Sequence, residues 1–125
     1  MHLVPADRAD HRTIDDHRAC EAIAALGDPA AVASWAQRFS LLADPGRLTL
    51  LICIRAAGPI AVTDLAVAAG MNDTAVSQAL RLLRAAGLVA AQRDGRVIRY
   101  SLADAEVGEL LGRLFPAPVE IPAGH

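Results

Sequence analysis

The chain contains no lysine, so all twelve of its positive charges are arginines, and only 3% of its residues are aromatic. Its two cysteines, Cys20 and Cys53, are too few for the disulfide framework of a small secreted domain. No apolar run approaches the roughly 20 residues that a membrane-spanning helix needs, and the first residues lack the basic and apolar segments of a signal peptide. These absences predict a cytoplasmic protein that is not bound to a membrane.

The chain does have enough apolar material for one compact domain, because 54% of its 125 residues are hydrophobic. Alanine is the commonest residue, which favours helices packed on helices. The net charge of -2 excludes a protein that is basic overall. However, residues 47–99 hold seven arginines and three acids, a local charge of +4, whereas residues 1–28 and 100–125 are each at -3. A basic centre between acidic ends indicates a phosphate-facing middle of the chain.

Residues that start and stop helices predict three helices in the first half of the chain. Thr13 is placed to cap a helix over about 14–26, and a second helix over about 30–42 follows Pro29. Asp44 and Pro45 are typical of the cap and first residue of a third helix, which Gly58-Pro59 ends.

The second half of the chain predicts a helix-turn-helix followed by a β-hairpin. Thr63 would cap a short helix that ends at Gly70, and Asn72 would cap the next one, over residues 73–86. Asp94-Gly95 predicts a two-residue hairpin turn, and Asp104 predicts the cap of a last helix. The fold class is therefore mainly α with a small hairpin wing, in the order α-α-α-α-α-β-β-α. The predicted domains are a tail and extra helix over 1–28, a winged helix-turn-helix domain over 29–115 and a tail over 116–125.

The 73–86 helix has one apolar and one polar face. Val76, Ala79, Leu80 and Leu83 share the apolar stripe. The opposite face holds residues that hydrogen-bond to bases or phosphates, namely Thr74, Ser77, Gln78 and Arg81. Its Asn72 end offers backbone N–H groups to a phosphate, and the hairpin arginines Arg93, Arg96 and Arg99 would gather along the DNA backbone.

Several motifs in the middle of the chain together resemble the ArsR/SmtB family of winged-helix repressors. They are Leu42-Ala43-Asp44-Pro45-Gly46-Arg47-Leu48, Asp64-Leu65-Ala66, the run from Ala75 to Val89, and the run from Asp94 to Tyr100. The resemblance covers residues 30–114 and implies a homodimer, formed largely by the first and last helices, on a near-palindromic operator. It also implies that a metal or another inducer weakens DNA binding. Ala79 departs from the family, many members of which carry His or Gln there.

The resemblance implies two family metal sites, and this chain departs from both. The Cys-x-Cys position before the recognition helix reads Ala61 and Thr63, so it has no thiolate. The last-helix pattern of Asp-x-His and His-x-x-Glu/His reads Asp104-x-Glu106 and Ala117-x-x-Glu120, without either imidazole. Carboxylates alone suit hard cations better than transition metals. An alternative for Asp104 and Glu106 is a structural role, as the cap residue and a first-turn acid that stabilise the positive end of the helix dipole.

A third candidate site lies in the first helix, where His17 and Cys20 are three residues apart and share a face. Imidazole with thiolate suits Zn, Ni or Co. The alternative is an ordinary polar face with a half-buried Cys20. Cys53, within the third helix, is predicted to be an inert core thiol, with redox pairing to Cys20 as the other reading.

We therefore predict a dimeric DNA-binding repressor that a divalent metal releases from its operator, and not an enzyme, since no catalytic arrangement is evident. Two alternatives stay open. The first is the same scaffold with a thiol-redox effector, a small-molecule effector or none. The second is a winged-helix module that binds proteins instead of DNA.

Overall fold

The computed structural model describes residues 14–117, and this range contains six helices and three short strands. They are α1 (Asp16–Leu26), α2 (Pro29–Leu42), α3 (Pro45–Ala57), β1 (Ile60–Ala61), α4 (Val62–Ala69), α5 (Asp73–Ala85), β2 (Val89–Asp94), β3 (Val97–Leu102) and α6 (Ala105–Leu114). The predicted fold class is confirmed. Within the described range, no helix combines the length and the apolar character that crossing a membrane requires.

The chain divides into two units between Gln37 and Arg38, inside α2. In the first unit, α1 has no buried residue, and Asp15 caps it by accepting a hydrogen bond from the Arg18 backbone N–H at 3.2 Å. The cap predicted at Thr13 lies outside the described residues.

The core of the second unit consists of aliphatic side chains from four helices and the start of β2. Each of the following is at most 2% exposed: Leu50, Leu51, Ile54, Leu65, Val76, Leu80, Leu83, Leu88, Val89, Val107 and Leu111. Three of the four residues of the predicted apolar stripe of α5 are in this core, and the fourth, Ala79, is half-buried. Burial of these side chains holds α5 with its polar face outward.

The junction between α2 and α3 explains the residues around Asp44. The Asp44 carboxylate accepts from the Arg47 backbone N–H at 3.0 Å and so caps α3, as predicted. The Arg47 side chain turns back, and its Nε donates to the Leu41 carbonyl at 2.9 Å. The last carbonyls of a helix have no intrahelical partner. The Arg47 side chain therefore provides a hydrogen-bond donor for a carbonyl at the end of α2, while the Arg47 backbone is part of the first turn of α3.

A two-residue strand, β1, precedes α4 and was not predicted. Ile60 lies opposite Tyr100 in an antiparallel pair, so the sheet has three strands in the order β1-β3-β2. The prediction that Thr63 caps α4 is wrong, because the helix begins at Val62 with Ala61 as its cap residue and no side-chain capping bond. Pairing with β3 holds Ala61 extended, and the helix begins at the next residue without a polar cap.

The hairpin turn is displaced by one residue from the predicted Asp94-Gly95. Asp94 pairs with Val97, so the two connecting residues are Gly95 and Arg96. Gly95 has a φ of +63° at the first turn position, which is the left-handed region expected there in a type II′ turn. Arg96 is consequently at the tip of the wing.

Candidate nucleic-acid interface

Helix α5 presents the predicted polar face to solvent. Its first turn is capped by Asn72, whose side-chain oxygen accepts from the Ala75 backbone N–H at 2.8 Å. The outward side chains are all exposed, namely Thr74, Ser77, Gln78 and Arg81. The buried stripe on the other side of the helix leaves these polar groups available to a ligand.

The strand register of the wing separates two of its arginines. Arg93 pairs with Ile98, whereas Arg99 pairs with Gln92. Directly paired residues share a face and neighbours alternate, so Arg93 and Arg99 lie on opposite faces of the ribbon. Arg99 also donates from Nε to Asp94 at 3.2 Å. The three arginines that the sequence places around the hairpin turn therefore do not share one face of the ribbon, because Arg99 is on the face opposite Arg93.

The arginines of the described range differ in their partners. Those with a carboxylate partner are Arg18, Arg38, Arg99 and Arg113. Arg47 and Arg55 donate to backbone carbonyls. The remaining four in residues 14–117 make neither an ion pair nor a side-chain hydrogen bond, and they are Arg81, Arg84, Arg93 and Arg96. All four lie on α5 or the wing, so the guanidiniums that are free to take a partner are concentrated on these two elements.

A cleft of about 450 Å³ lies between α5 and the wing. Its lining residues are Ser77, Arg81, Arg84, Ala85 and Tyr100, and none of them is acidic. Arg84 and Tyr100 were not predicted as site residues. Helical spacing could have indicated Arg84, which is seven residues after Ser77 and three after Arg81. Tyr100 lines the cleft only because of where β3 lies relative to α5, and the sequence has no local signal for that position.

The acidic candidates at the start of α6 surround an arginine. Arg38 Nε donates to the Asp104 carboxylate at 2.9 Å, and another nitrogen of the same guanidinium contacts Glu106 at 3.2 Å. Asp104 is 11% exposed and also accepts from the Val107 backbone N–H at 3.0 Å, so it caps α6 as predicted. A side chain of this protein therefore already supplies the positive charge beside these carboxylates. Glu120 lies outside the described residues.

The candidates on α1 do not form a ligand cluster. His17 Nε2 lies 2.9 Å from Glu21 Oε1, and Cys20 is a half-buried free thiol. In the part of the chain that the structure describes, no group of three or more His, Cys, Asp or Glu side chains could hold a metal. Cys53, predicted to be a core thiol, is free and only half-buried.

Comparison with known proteins matches residues 45–97 to a model of the MarR family, a stretch that runs from α3 to the start of β3. The transcriptional regulator NmtR of Mycobacterium tuberculosis is 50% identical over 84 residues, which are 67% of this chain and 69% of NmtR.

Two solved structures have the same fold. The homodimeric winged helix-turn-helix DNA-binding domain of Mb0332 from Mycobacterium bovis, described as a possible ArsR-family transcriptional regulator, is 34% identical with a TM-score of 0.60, over 68% of this chain and 78% of that one. The cadmium sensor CMTR from Mycobacterium tuberculosis is 33% identical with a TM-score of 0.56, over 72% and 93%. The MarR match is confined to the helix-turn-helix and part of the wing, whereas these relatives also match beyond it. The chain belongs to the ArsR/SmtB family of winged-helix transcriptional regulators.

Proposed function

We propose that the protein is a repressor that binds an operator in double-stranded DNA through α5 and the wing. The observation that carries this proposal is the location of the four described arginines that have neither an ion pair nor a side-chain hydrogen bond, all of which are on α5 or the wing. Phosphate neutralisation by such arginines is the main source of DNA affinity. The same cluster of arginines favours DNA over a protein as the partner of this winged helix. A repressor of this kind would act in the cytoplasm.

On this proposal α5 enters the major groove. Gln78 and Arg81 are suited to pair with adenine and guanine edges, and Thr74 and Ser77 to contact bases or phosphates. Asn72 brings the first backbone N–H groups of the helix towards a phosphate. In the wing, Arg93 and Arg96 are the leading phosphate contacts. Arg99 is a weaker one, because Asp94 already compensates its charge.

We propose a homodimer, as the Mb0332 domain forms. In the second unit, large apolar side chains on α2, at the end of α6 and directly after it are exposed, namely Phe39 at 52%, Leu114 at 61% and Phe115 at 43%. Covering such side chains favours association. A two-fold dimer would set two α5 helices on half-sites about one DNA turn apart.

For the effector we propose a divalent transition metal, since CMTR is a cadmium sensor and imidazole and thiolate on α1 suit Zn, Ni or Co. His17 and Cys20 would supply donors. The described carboxylates of α6 do not fit a metal site, because Arg38 holds Asp104 and Glu106. The lack of a cluster of three ligands in residues 14–117 favours a second candidate, the same repressor with a non-metal effector.

The DNA-reading proposal is tested with a duplex that the protein itself selects from a random-sequence library. Replacing Arg81 or Gln78 by Ala should weaken binding to the selected duplex by about 1–3 kcal/mol, and the Gln78 change should barely affect a scrambled duplex. Arg113→Ala, which removes an arginine that is paired with Glu109 on α6, is the control for charge. If neither α5 change lowers affinity for the selected duplex, α5 does not read DNA.

A further inference from the structure

The cleft between α5 and the wing has the composition of an anion site. Two guanidiniums, Arg81 and Arg84, line it together with the hydroxyl-bearing side chains of Ser77 and Tyr100. The fifth lining residue is Ala85, whose small side chain leaves the space open. Every polar side chain among the lining residues can donate a hydrogen bond, and none carries negative charge.

The charged groups around the cleft reinforce this character. Neither Arg81 nor Arg84 has an ion-pair partner within residues 14–117. The nearest acid along the wing, Asp94, pairs in register with Val97 and contacts Arg99. The register places Asp94 and Tyr100 on opposite faces of the ribbon, because Tyr100 pairs with Ala91. The carboxylate therefore does not compensate the two cleft arginines.

We propose that this cleft seats a phosphate of the DNA backbone, held by Arg84 and the Tyr100 hydroxyl, with Arg81 at its edge. This proposal rests on the proposed DNA binding and extends it to two residues outside the polar face predicted from the sequence. A phosphate between the helix and the wing is contacted by both elements, so it fixes how deeply α5 enters the groove. Such contacts position a protein on DNA without reading its sequence.

The test is the salt dependence of binding for Arg84→Gln and Tyr100→Phe, measured on a random 30-base-pair duplex and on a duplex selected by the unchanged protein. Arg84→Gln should reduce the slope of log K against log salt by about one per subunit, and should weaken both duplexes by the same factor. Tyr100→Phe removes one hydroxyl and should weaken both by about three- to ten-fold. Arg113→Gln, which removes a paired arginine on α6, is the matched charge control.

A steric variant tests the cleft independently of charge. Ala85→Leu fills it and should weaken both duplexes, whereas Ala86→Leu, on a residue that does not line the cleft, should not. Circular dichroism and the thermal midpoint check that each variant is folded. The proposal is overturned if folded Arg84→Gln keeps the wild-type slope, or if its loss is confined to the selected duplex. Either result would leave the binding of DNA by the unchanged protein intact, so the two proposals fail separately.

A free anion such as inorganic phosphate is the other ligand that could occupy the cleft in place of a DNA phosphate. Inorganic phosphate added at constant ionic strength should not displace DNA, because a single phosphate lacks the many contacts of a duplex. Displacement that is abolished by Arg84→Gln would identify a site for a small anion and would overturn the assignment to the DNA backbone.

Discussion

Gly112 illustrates how a residue that is unfavourable for its own helix can leave room for a neighbouring side chain. Glycine lowers the stability of a helix, and α6 contains two glycines, Gly108 and Gly112. In the structure, a Cβ on Gly112 would overlap the guanidinium of Arg55, whose Nε donates to the Gly108 carbonyl at 2.8 Å. A Cβ on Gly108 would lie 2.8 Å from a side-chain carbon of Leu102. Both glycines therefore have a steric reason within the chain itself.

This contact predicts coupling between Gly112 and Arg55. Gly112→Ala gains about 1 kcal/mol of helix propensity but displaces Arg55 and its hydrogen bond, so the free energy of unfolding should change little. With Arg55 already replaced by Ala, the same change should stabilise the protein by about 1 kcal/mol. Urea unfolding at one fixed protein concentration measures both. Equal effects in the two backgrounds would show that Arg55 does not constrain position 112.

Arg38 is the second residue whose role becomes evident only in three dimensions. The sequence identifies Asp104 and Glu106 as acids at the start of α6 but has no signal that a residue more than 60 positions away lies between them. Arg38 is 22% exposed and Asp104 is 11% exposed, so this pair is less screened by water than the exposed pair of Arg113 and Glu109. We infer that Arg38 holds α6 to the end of α2.

A double-mutant cycle tests that role. Arg38→Met should destabilise the protein by about 1–3 kcal/mol, since it leaves two carboxylates close together, and the loss should be smaller with Asp104→Asn present. Asparagine keeps the helix cap while it removes the charge. Arg113→Met on the exposed pair should cost less than about 1 kcal/mol. Additive effects of Arg38→Met and Asp104→Asn would contradict an ion pair that stabilises the fold.

At the scale of the elements, the sequence predicted helices better than strands. Asp44, Asn72 and Asp104 are correct caps because a capping side chain acts on backbone two or three residues away, and that chemistry is local. Strand β1 depends on Tyr100, 40 positions away, and two residues are too few for a periodic pattern. The predicted turn residues missed by one position for the same reason, because pairing of β2 with β3 sets the register.

The wing register leads to different expectations for its arginines. Arg96→Ala should weaken binding to any duplex and lower the salt slope, whereas Arg99→Ala should have a smaller effect, because Asp94 already compensates Arg99. Asp94→Asn should strengthen binding, since it releases that guanidinium and removes a negative charge. Fluorescence anisotropy on a random duplex at several salt concentrations measures all three. Equal losses for Arg96→Ala and Arg99→Ala would show that the Asp94 contact is not maintained on DNA.

At the scale of the whole molecule, the exposed polar face of α5 was predicted residue by residue, but no complete effector site was. The polar face of α5 follows from helical periodicity, which one sequence contains. A metal shell is assembled from separate elements or subunits, and His17 and Cys20 alone do not make one. The charge separation is also a whole-molecule property, since the net charge of -2 conceals the basic middle of the chain.

The proposed effector site predicts which residue matters for release from DNA. If a metal acts through α1, Cys20→Ser should abolish the loss of DNA binding that Zn, Ni or Co causes, and Asp104→Asn should leave it unchanged. The measurement is DNA binding with each metal, with and without a thiol reductant. The opposite result would locate the sensor at α6 in spite of Arg38. An effect of oxidant without metal would instead support the non-metal effector.

The central claim is that unpaired arginines on α5 and the wing bind the DNA backbone, and the salt dependence of binding by the unchanged protein tests it most directly. With three to four phosphate contacts in each subunit of a dimer, log K against log salt should be linear with a slope of about -5 to -7. A flat line, or no binding to either a random or a selected duplex at low salt, would contradict the account.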